Sequence, residues 1–152
     1  MVAGTVRVLL VDDRPEIRTL VRRIVRKEDW LEIVGEAENG HDAVQKVAEL
    51  APDVVIMDVE MPVLGGIEAT RIIKERWPDV RVVAFTGVHD QEILTDLTDA
   101  GASAHLLKTN ASGLLAPLIA AVARSERPLV VVLDEDEDRD REEGSVPSRE
   151  RG

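Results

Sequence analysis

Apolar positions in the first 125 residues fall into two alternating kinds of run. Short runs rich in β-branched residues occur at Val6-Arg7-Val8-Leu9-Leu10-Val11, at 31–35, at 53–57, at 80–85 and at Ala104-His105-Leu106-Leu107, and they predict five strands. Between them, apolar residues recur every three or four positions, as on one face of a helix. Ile17, Leu20, Val21, Ile24 and Val25 mark a helix over 15–27, with Pro15 suited to its first turn. Ala43, Val44, Val47 and Leu50 mark a second over 40–50, stopped by Pro52. Ile67, Ala69, Ile72 and Ile73 mark a third over 66–76, ended by Pro78, and Ile93, Leu94 and Leu97 a fourth over 90–100, closed by Gly101. An apolar-rich fifth covers 112–124, where Pro117 predicts either a bend or a true start near Ala116.

Strand and helix therefore alternate with a spacing near 25 residues, which reads as successive right-handed βα units. The first, third and fourth strands are nearly unbroken apolar runs, as in parallel strands covered on both faces. The predicted fold is α/β, a doubly wound five-stranded parallel sheet of the flavodoxin-like order 2-1-3-4-5. Pro128-Leu129-Val130-Val131-Val132-Leu133 falls outside this scheme. It is read as an extra strand near 129–133, with packing elsewhere or against a second molecule as the alternatives.

Composition narrows the function. The 152 residues are 44% hydrophobic, enough for a core, and contain no Cys, which excludes thiol chemistry and Cys-ligated zinc. Lys and Arg total 19 against 30 Asp and Glu, so a broad nucleic-acid-binding face is not expected. No apolar run approaches the roughly 20 residues of a membrane helix, and the charged N-terminal stretch is not a secretory signal, so a cytoplasmic domain is expected. Much of the acidity is local. Residues 134–152 hold nine acids and four Arg with almost no apolar content, and read as a disordered acidic tail after a 126–133 apolar extension.

In an open α/β sheet, ligands bind beyond the carboxyl ends of the strands. There the sequence places Asp12 and Asp13 after the first strand, Asp58 after the third, Thr86 after the fourth and Lys108 after the fifth. Each alone is more simply a cap, a strand end or a surface lysine. Their common location is what argues for chemistry. Three carboxylates in one crevice repel unless protons or a cation compensate, and Mg²⁺ accepts such hard oxygens. Lys108 is one of only four Lys beside 15 Arg, and offers a compact charge for an anionic oxygen, as Thr86 offers a hydroxyl. Together they suit a carboxylate that becomes phosphorylated.

The segments Val8-Leu9-Leu10-Val11-Asp12-Asp13, Asp53-Val54-Val55-Ile56-Met57-Asp58-Val59-Glu60-Met61-Pro62-Val63-Leu64-Gly65-Gly66, Val83-Ala84-Phe85-Thr86-Gly87 and Leu106-Leu107-Lys108 resemble receiver domains of bacterial two-component response regulators. The subtype resembles receivers usually fused to helix-turn-helix outputs, and the resemblance makes residues 1–125 the receiver domain. It implies that Asp58 is the phosphoacceptor for a sensor histidine kinase. Mg²⁺ is then held by Asp12, Asp13, Asp58 and the backbone carbonyl of Glu60. Thr86 and Lys108 engage the phosphoryl group, and a surface of about residues 90–124 carries the signal to a downstream protein or to a homodimer formed on activation. Such a domain catalyses only its own phosphorylation and dephosphorylation, so it is not expected to be an enzyme on a separate substrate.

Several positions depart from that pattern. His105 stands where such receivers often carry Tyr or Phe as a rotameric switch; it is either a pH-sensitive counterpart or a partly exposed strand residue without that role. Thr109 follows Lys108 where Pro or an acidic residue is frequent, and His41 and His89 are most simply surface residues. No helix-turn-helix follows Arg124, so direct contact with DNA is not expected. The alternative is a degenerate, phosphorylation-independent receiver acting as an interaction module. A haloacid-dehalogenase-type phosphatase needs Asp-x-Asp where this chain has Asp12-Asp13-Arg14, and an acidic first loop repels the phosphate of a flavin.

Overall fold

Strands that are apolar on both faces need cover on both, and the helices divide to supply it. The computed structural model describes residues 4–87 and 90–125, and the backbone of 132–133. Its strands are β1 (Val6–Val11), β2 (Leu31–Ala37), β3 (Val54–Asp58), β4 (Arg81–Thr86), β5 (Ala104–Leu107) and β6 (Val132–Leu133). All pair in parallel, in the order β2-β1-β3-β4-β5-β6. The five-stranded order read from the sequence is present, with β6 added outside β5.

Side-chain alternation sorts the core into layers. Val8, Leu10, Ile56, Phe85 and Leu106 point to the face covered by α1 (Pro15–Arg26) and α5 (Ala111–Arg124). Leu9, Val11, Val55 and Met57 point to the face covered by α2 (Gly40–Leu50) and α3 (Gly66–Arg76). On that same side Leu97 of α4 (Gln91–Ala100) packs with Ala84 and Ala102. Caps fix where the helices begin. Asn39 accepts from the Asp42 amide at 2.8 Å, and Asp90 accepts from the amides of Glu92 and Ile93.

Two boundaries depart from the sequence reading in ways that matter for the site and the core. β2 continues past Gly35 to Ala37 because Val34 is an extra residue: Val8 pairs Ile33 while Leu9 pairs Gly35. Such a bulge reverses the facing of every later side chain in its strand. It turns Ala37 into the α2 and α3 layer and leaves Glu36 on the α1 side. At the other end of the chain, a single 3-10 turn at Lys108–Asn110 leads directly into α5, which begins at Ala111. A start near Ala116 is therefore corrected: Ala111 and Leu115, both ahead of Pro117, are buried in the α1/α5 core. Pro117 itself is exposed, so the hydrogen bond it cannot make, to the Gly113 carbonyl, is lost on the solvent side where water can serve.

The extra strand expected near 129–133 is described only at Val132–Leu133, paired with His105 and Leu106. Residues 126–131 and the acidic segment 134–152 lie outside the described residues, as do Val88 and His89.

Candidate functional site

The sheet brings Asp12, Asp58, Thr86 and Lys108 to its carboxyl end from four adjacent strands. β1 and β3 are neighbours with Val11 opposite Met57, so Asp12 and Asp58 follow side by side. Both are buried, at 0% and 4% exposure, whereas Asp13 faces solvent. One oxygen from each of the three carboxylates lies within 4.8 Å of the others. β4 sets Thr86 opposite Leu107, one residue before Lys108. Glu60 is exposed in the loop after β3.

Lys108 spans the two buried acids. Its Nζ lies 2.9 Å from Asp12 Oδ2 and 3.1 Å from Asp58 Oδ1, and 5.9 Å from the centre of the Phe85 ring. Burial acts to lower the lysine's pKa, but the bond to Asp12 and the charges of Asp58 and Asp12 outweigh it and hold it above its ordinary value. Asp58 moves the other way from a typical paired carboxylate. Burial, then the neighbouring charge of Asp12, push its pKa to about 6 against the pull of Lys108. The site thus holds more negative charge than its lysine neutralises.

That surplus fits a small hard cation. Mg²⁺ takes oxygen ligands from one or two carboxylates and completes its octahedron with water and substrate oxygens. Asp12 and Asp58 offer buried oxygens and Asp13 an exposed one. Apart from its ion pair with Lys108, Asp12 Oδ2 has no hydrogen-bond partner among the described residues. The other Asp12 oxygen accepts from the Arg14 amide at 3.0 Å, which fixes the carboxylate plane.

Close backbone approaches hold the loops at this end of the sheet. A Cβ on Gly66 would lie 2.0 Å from the Asp58 carbonyl oxygen, so only glycine lets α3 start against the end of β3. The loop between them is tied by Gly66 N–H to Val59 O and by Gly40 N–H to Leu64 O, both 2.8 Å. Within it Val63 is 81% exposed with φ of 71°, an unusual conformation for a β-branched residue.

His105 is not partly exposed: it is 3% exposed, opposite Ala84 and on the same face of the sheet as Thr86. The Thr98 hydroxyl donates to the Leu94 carbonyl, so His105 Nε2, 3.4 Å from that hydroxyl, is the donor toward it. His105 Nδ1 has no partner among the described residues, and burial lowers the ring's pKa. His41 is exposed in the first turn of α2, as expected of a surface residue.

One group near the acids has no signature in the sequence. Arg18 Nη1 donates to the Asp12 carbonyl at 2.6 Å while its Nε donates to Glu36. Helical spacing puts Arg18 on α1, but only the bulge in β2 brings Glu36 beneath it.

Comparison with known proteins agrees with this architecture. The model of the response regulator receiver domain matches residues 8–120. The response regulator GacA of Pseudomonas viridiflava is 44% identical over 103 residues, covering 68% of this chain and 48% of GacA. The transcriptional regulatory protein DegU of Brevibacillus brevis is 35% identical over 119 residues, covering 78% of this chain and 50% of DegU. This chain thus spans about half the length of the curated relatives it matches. Among solved structures, a LuxR-family two-component response regulator from Aurantimonas sp. SI85-9A1 superposes with a TM-score of 0.80 at 31% identity, covering 94% of this chain and 99% of that one. The response regulator domain of Thermotoga maritima CheB superposes with a TM-score of 0.76 at 29% identity, covering 81% of this chain and 99% of that one. With sequence blocks, sheet order and family match in agreement, the chain belongs to the response regulator receiver domain family.

Proposed function

We propose that this chain is a phosphorylation-dependent signalling switch of a two-component system, with Asp58 accepting a phosphoryl group from a sensor histidine kinase. One observation carries the reading: three carboxylates within 4.8 Å of one another, with Lys108 paired to the two buried ones. An Asp58 oxygen attacks phosphorus; the new P–O bond forms as the P–N bond of the kinase phosphohistidine breaks, and the electron pair returns to the imidazole nitrogen. Attack requires the ionised carboxylate. With a pKa of about 6, roughly nine-tenths of Asp58 is ionised at pH 7.

Asp12, Asp13 and Asp58, with the Glu60 backbone carbonyl, would hold Mg²⁺, which when bound offsets the negative charge of the incoming phosphoryl oxygens. Lys108 pairs with one of those oxygens and the Thr86 hydroxyl donates to another. His105, on the same face of the sheet as Thr86, shifts with it and passes the change to α4, β5 and α5. The signal leaves through protein contacts, to a downstream protein or a second copy of the chain. Direct nucleic-acid contact is not part of this reading, which takes the chain to act in the cytoplasm, where a sensor kinase would present its phosphohistidine. Among the described residues no helix is long and apolar enough to cross a membrane.

Intact-mass measurement after incubation with acetyl phosphate and Mg²⁺ tests this, beside Asp58→Asn. The expected result is one added phosphoryl group on the parent chain and none on the variant. No addition to the parent, with no Mg²⁺ binding, would leave an interaction module without a switch.

A further inference from the structure

Two adjacent aspartates at a strand end must be aimed as well as ionised. The peptide joining Asp12 to Asp13 is rigid, so its orientation constrains where both side chains leave the backbone. Three bonds hold this corner. The Asp12 amide donates to the Ala37 carbonyl at 3.0 Å, the Arg14 amide donates to Asp12 Oδ1 at 3.0 Å, and Arg18 Nη1 donates to the carbonyl oxygen of the Asp12–Asp13 peptide at 2.6 Å. The last comes from a side chain only 14% exposed, whose Nε also donates to Glu36 Oε1 at 3.1 Å and whose Nη2 lies 3.9 Å from Glu38 Oε2. Glu36 is itself anchored: Lys46 Nζ donates to its carbonyl at 2.6 Å.

We propose that Arg18 is a positioning residue of the acidic site, holding the Asp12–Asp13 peptide so that both carboxylates converge with Asp58 on a divalent cation. The proposal rests on the reading of that site as a Mg²⁺-dependent phosphoacceptor. Two features suit an arginine to this role. Its planar fork reaches a carbonyl and a carboxylate at once, which one ammonium cannot reproduce. Its charge faces Glu36 and, at 3.9 Å, Glu38, which oppose the repulsion it would exert on a cation held by the acids.

Arg22 supplies the control. It lies one turn along α1 and donates to both Glu36 oxygens, at 2.8 and 2.6 Å, with no bond to Asp12 among the described residues. A purely structural role, pinning α1 to β2, would make the two arginines equivalent. The test compares the full chain with Arg18→Gln, Arg18→Lys and Arg22→Gln by calorimetric Mg²⁺ titration, by urea unfolding in EDTA, and by phosphoryl uptake from acetyl phosphate across Mg²⁺ concentrations. Groups that orient metal ligands change affinity by about 10–100-fold when removed. Arg18→Gln is expected to raise the Mg²⁺ Kd about tenfold, and Arg18→Lys to recover little of it. Uptake by Arg18→Gln should return to within about threefold of the parent at saturating Mg²⁺, since an orienting group acts on metal affinity. Arg22→Gln should leave the Kd within about twofold even where it lowers stability as much. Equal Kd changes in Arg18→Gln and Arg22→Gln, an unchanged Kd in Arg18→Gln, or full recovery by lysine would overturn the role. A parent chain that neither binds Mg²⁺ nor takes up phosphoryl would overturn the underlying reading, and this role with it. A parent that does both confines any failure to Arg18.

Discussion

Asp58 holds its proton more tightly in the folded chain than in the unfolded one, because its pKa moves from 3.8 to about 6. The sign of the consequence follows by linkage: this group favours the folded state most below pH 4, and that contribution is lost as pH rises through 6. At neutral pH the charge of Asp58 is a local instability, which a bound cation would relieve. In EDTA at pH 8, Asp58→Asn is expected to stabilise the chain by about 2–3 kcal/mol, at about 1.4 kcal/mol for each tenfold gain in proton affinity. Below pH 4 the two proteins should unfold alike. Urea midpoints across pH 3.5–8 measure this, and a gain that does not vary with pH would mean that packing rather than charge is responsible. The acidic cluster was legible from the sequence because its members sit at the end of β3 and in the two positions just after β1. Arg18 was not, since nothing local distinguishes it from the other arginines of α1.

Helix α5 shows the limit of periodicity at the scale of elements. Its apolar spacing gives the right face, but a proline seven positions in argues for a later start, and burial of Ala111 and Leu115 overrides that preference. Replacing the exposed Pro117 by alanine should restore the bond to the Gly113 carbonyl. An interior proline costs a helix about 3 kcal/mol, and the extra freedom of alanine in the unfolded chain returns up to about 1 kcal/mol, so a net gain of about 2 kcal/mol is expected. The urea midpoint should rise with an unchanged slope; no rise would mean that the α5 backbone already accommodates the ring. β2 illustrates a different blind spot. The Val34 bulge breaks alternation, so the run looks finished at Gly35, and with it disappears any hint that Glu36 meets Arg18 and Arg22. Val63 was equally unreadable, because its left-handed backbone is set by the bonds on either side of its loop and not by its own preference. For His105 the sequence leaves a switch and a partly exposed strand residue both open; only the fold removes the exposure, because α4 covers it on one side and β6 turns β5 into an interior strand.

For the whole molecule, β6 decides whether the sheet ends in β5 or beyond it. A chain ending at Ser125 is expected to keep its five central strands and its phosphoryl uptake, while amide exchange along β5 quickens about tenfold, the equivalent of one net backbone hydrogen bond. Exchange equal to that of the full chain would show that β6 adds nothing to the edge. Strand order also bears on synthesis. After β3, each strand joins the edge made by the one before it, so nothing already formed has to reopen. The first group that flanks β1 on both sides is complete once residue 58 has emerged, and by then all three acids of the site are present. Lys108 follows fifty residues later, roughly 3–10 s at ordinary elongation rates. For that interval the growing chain carries the three acids of the site without the lysine that pairs with two of them.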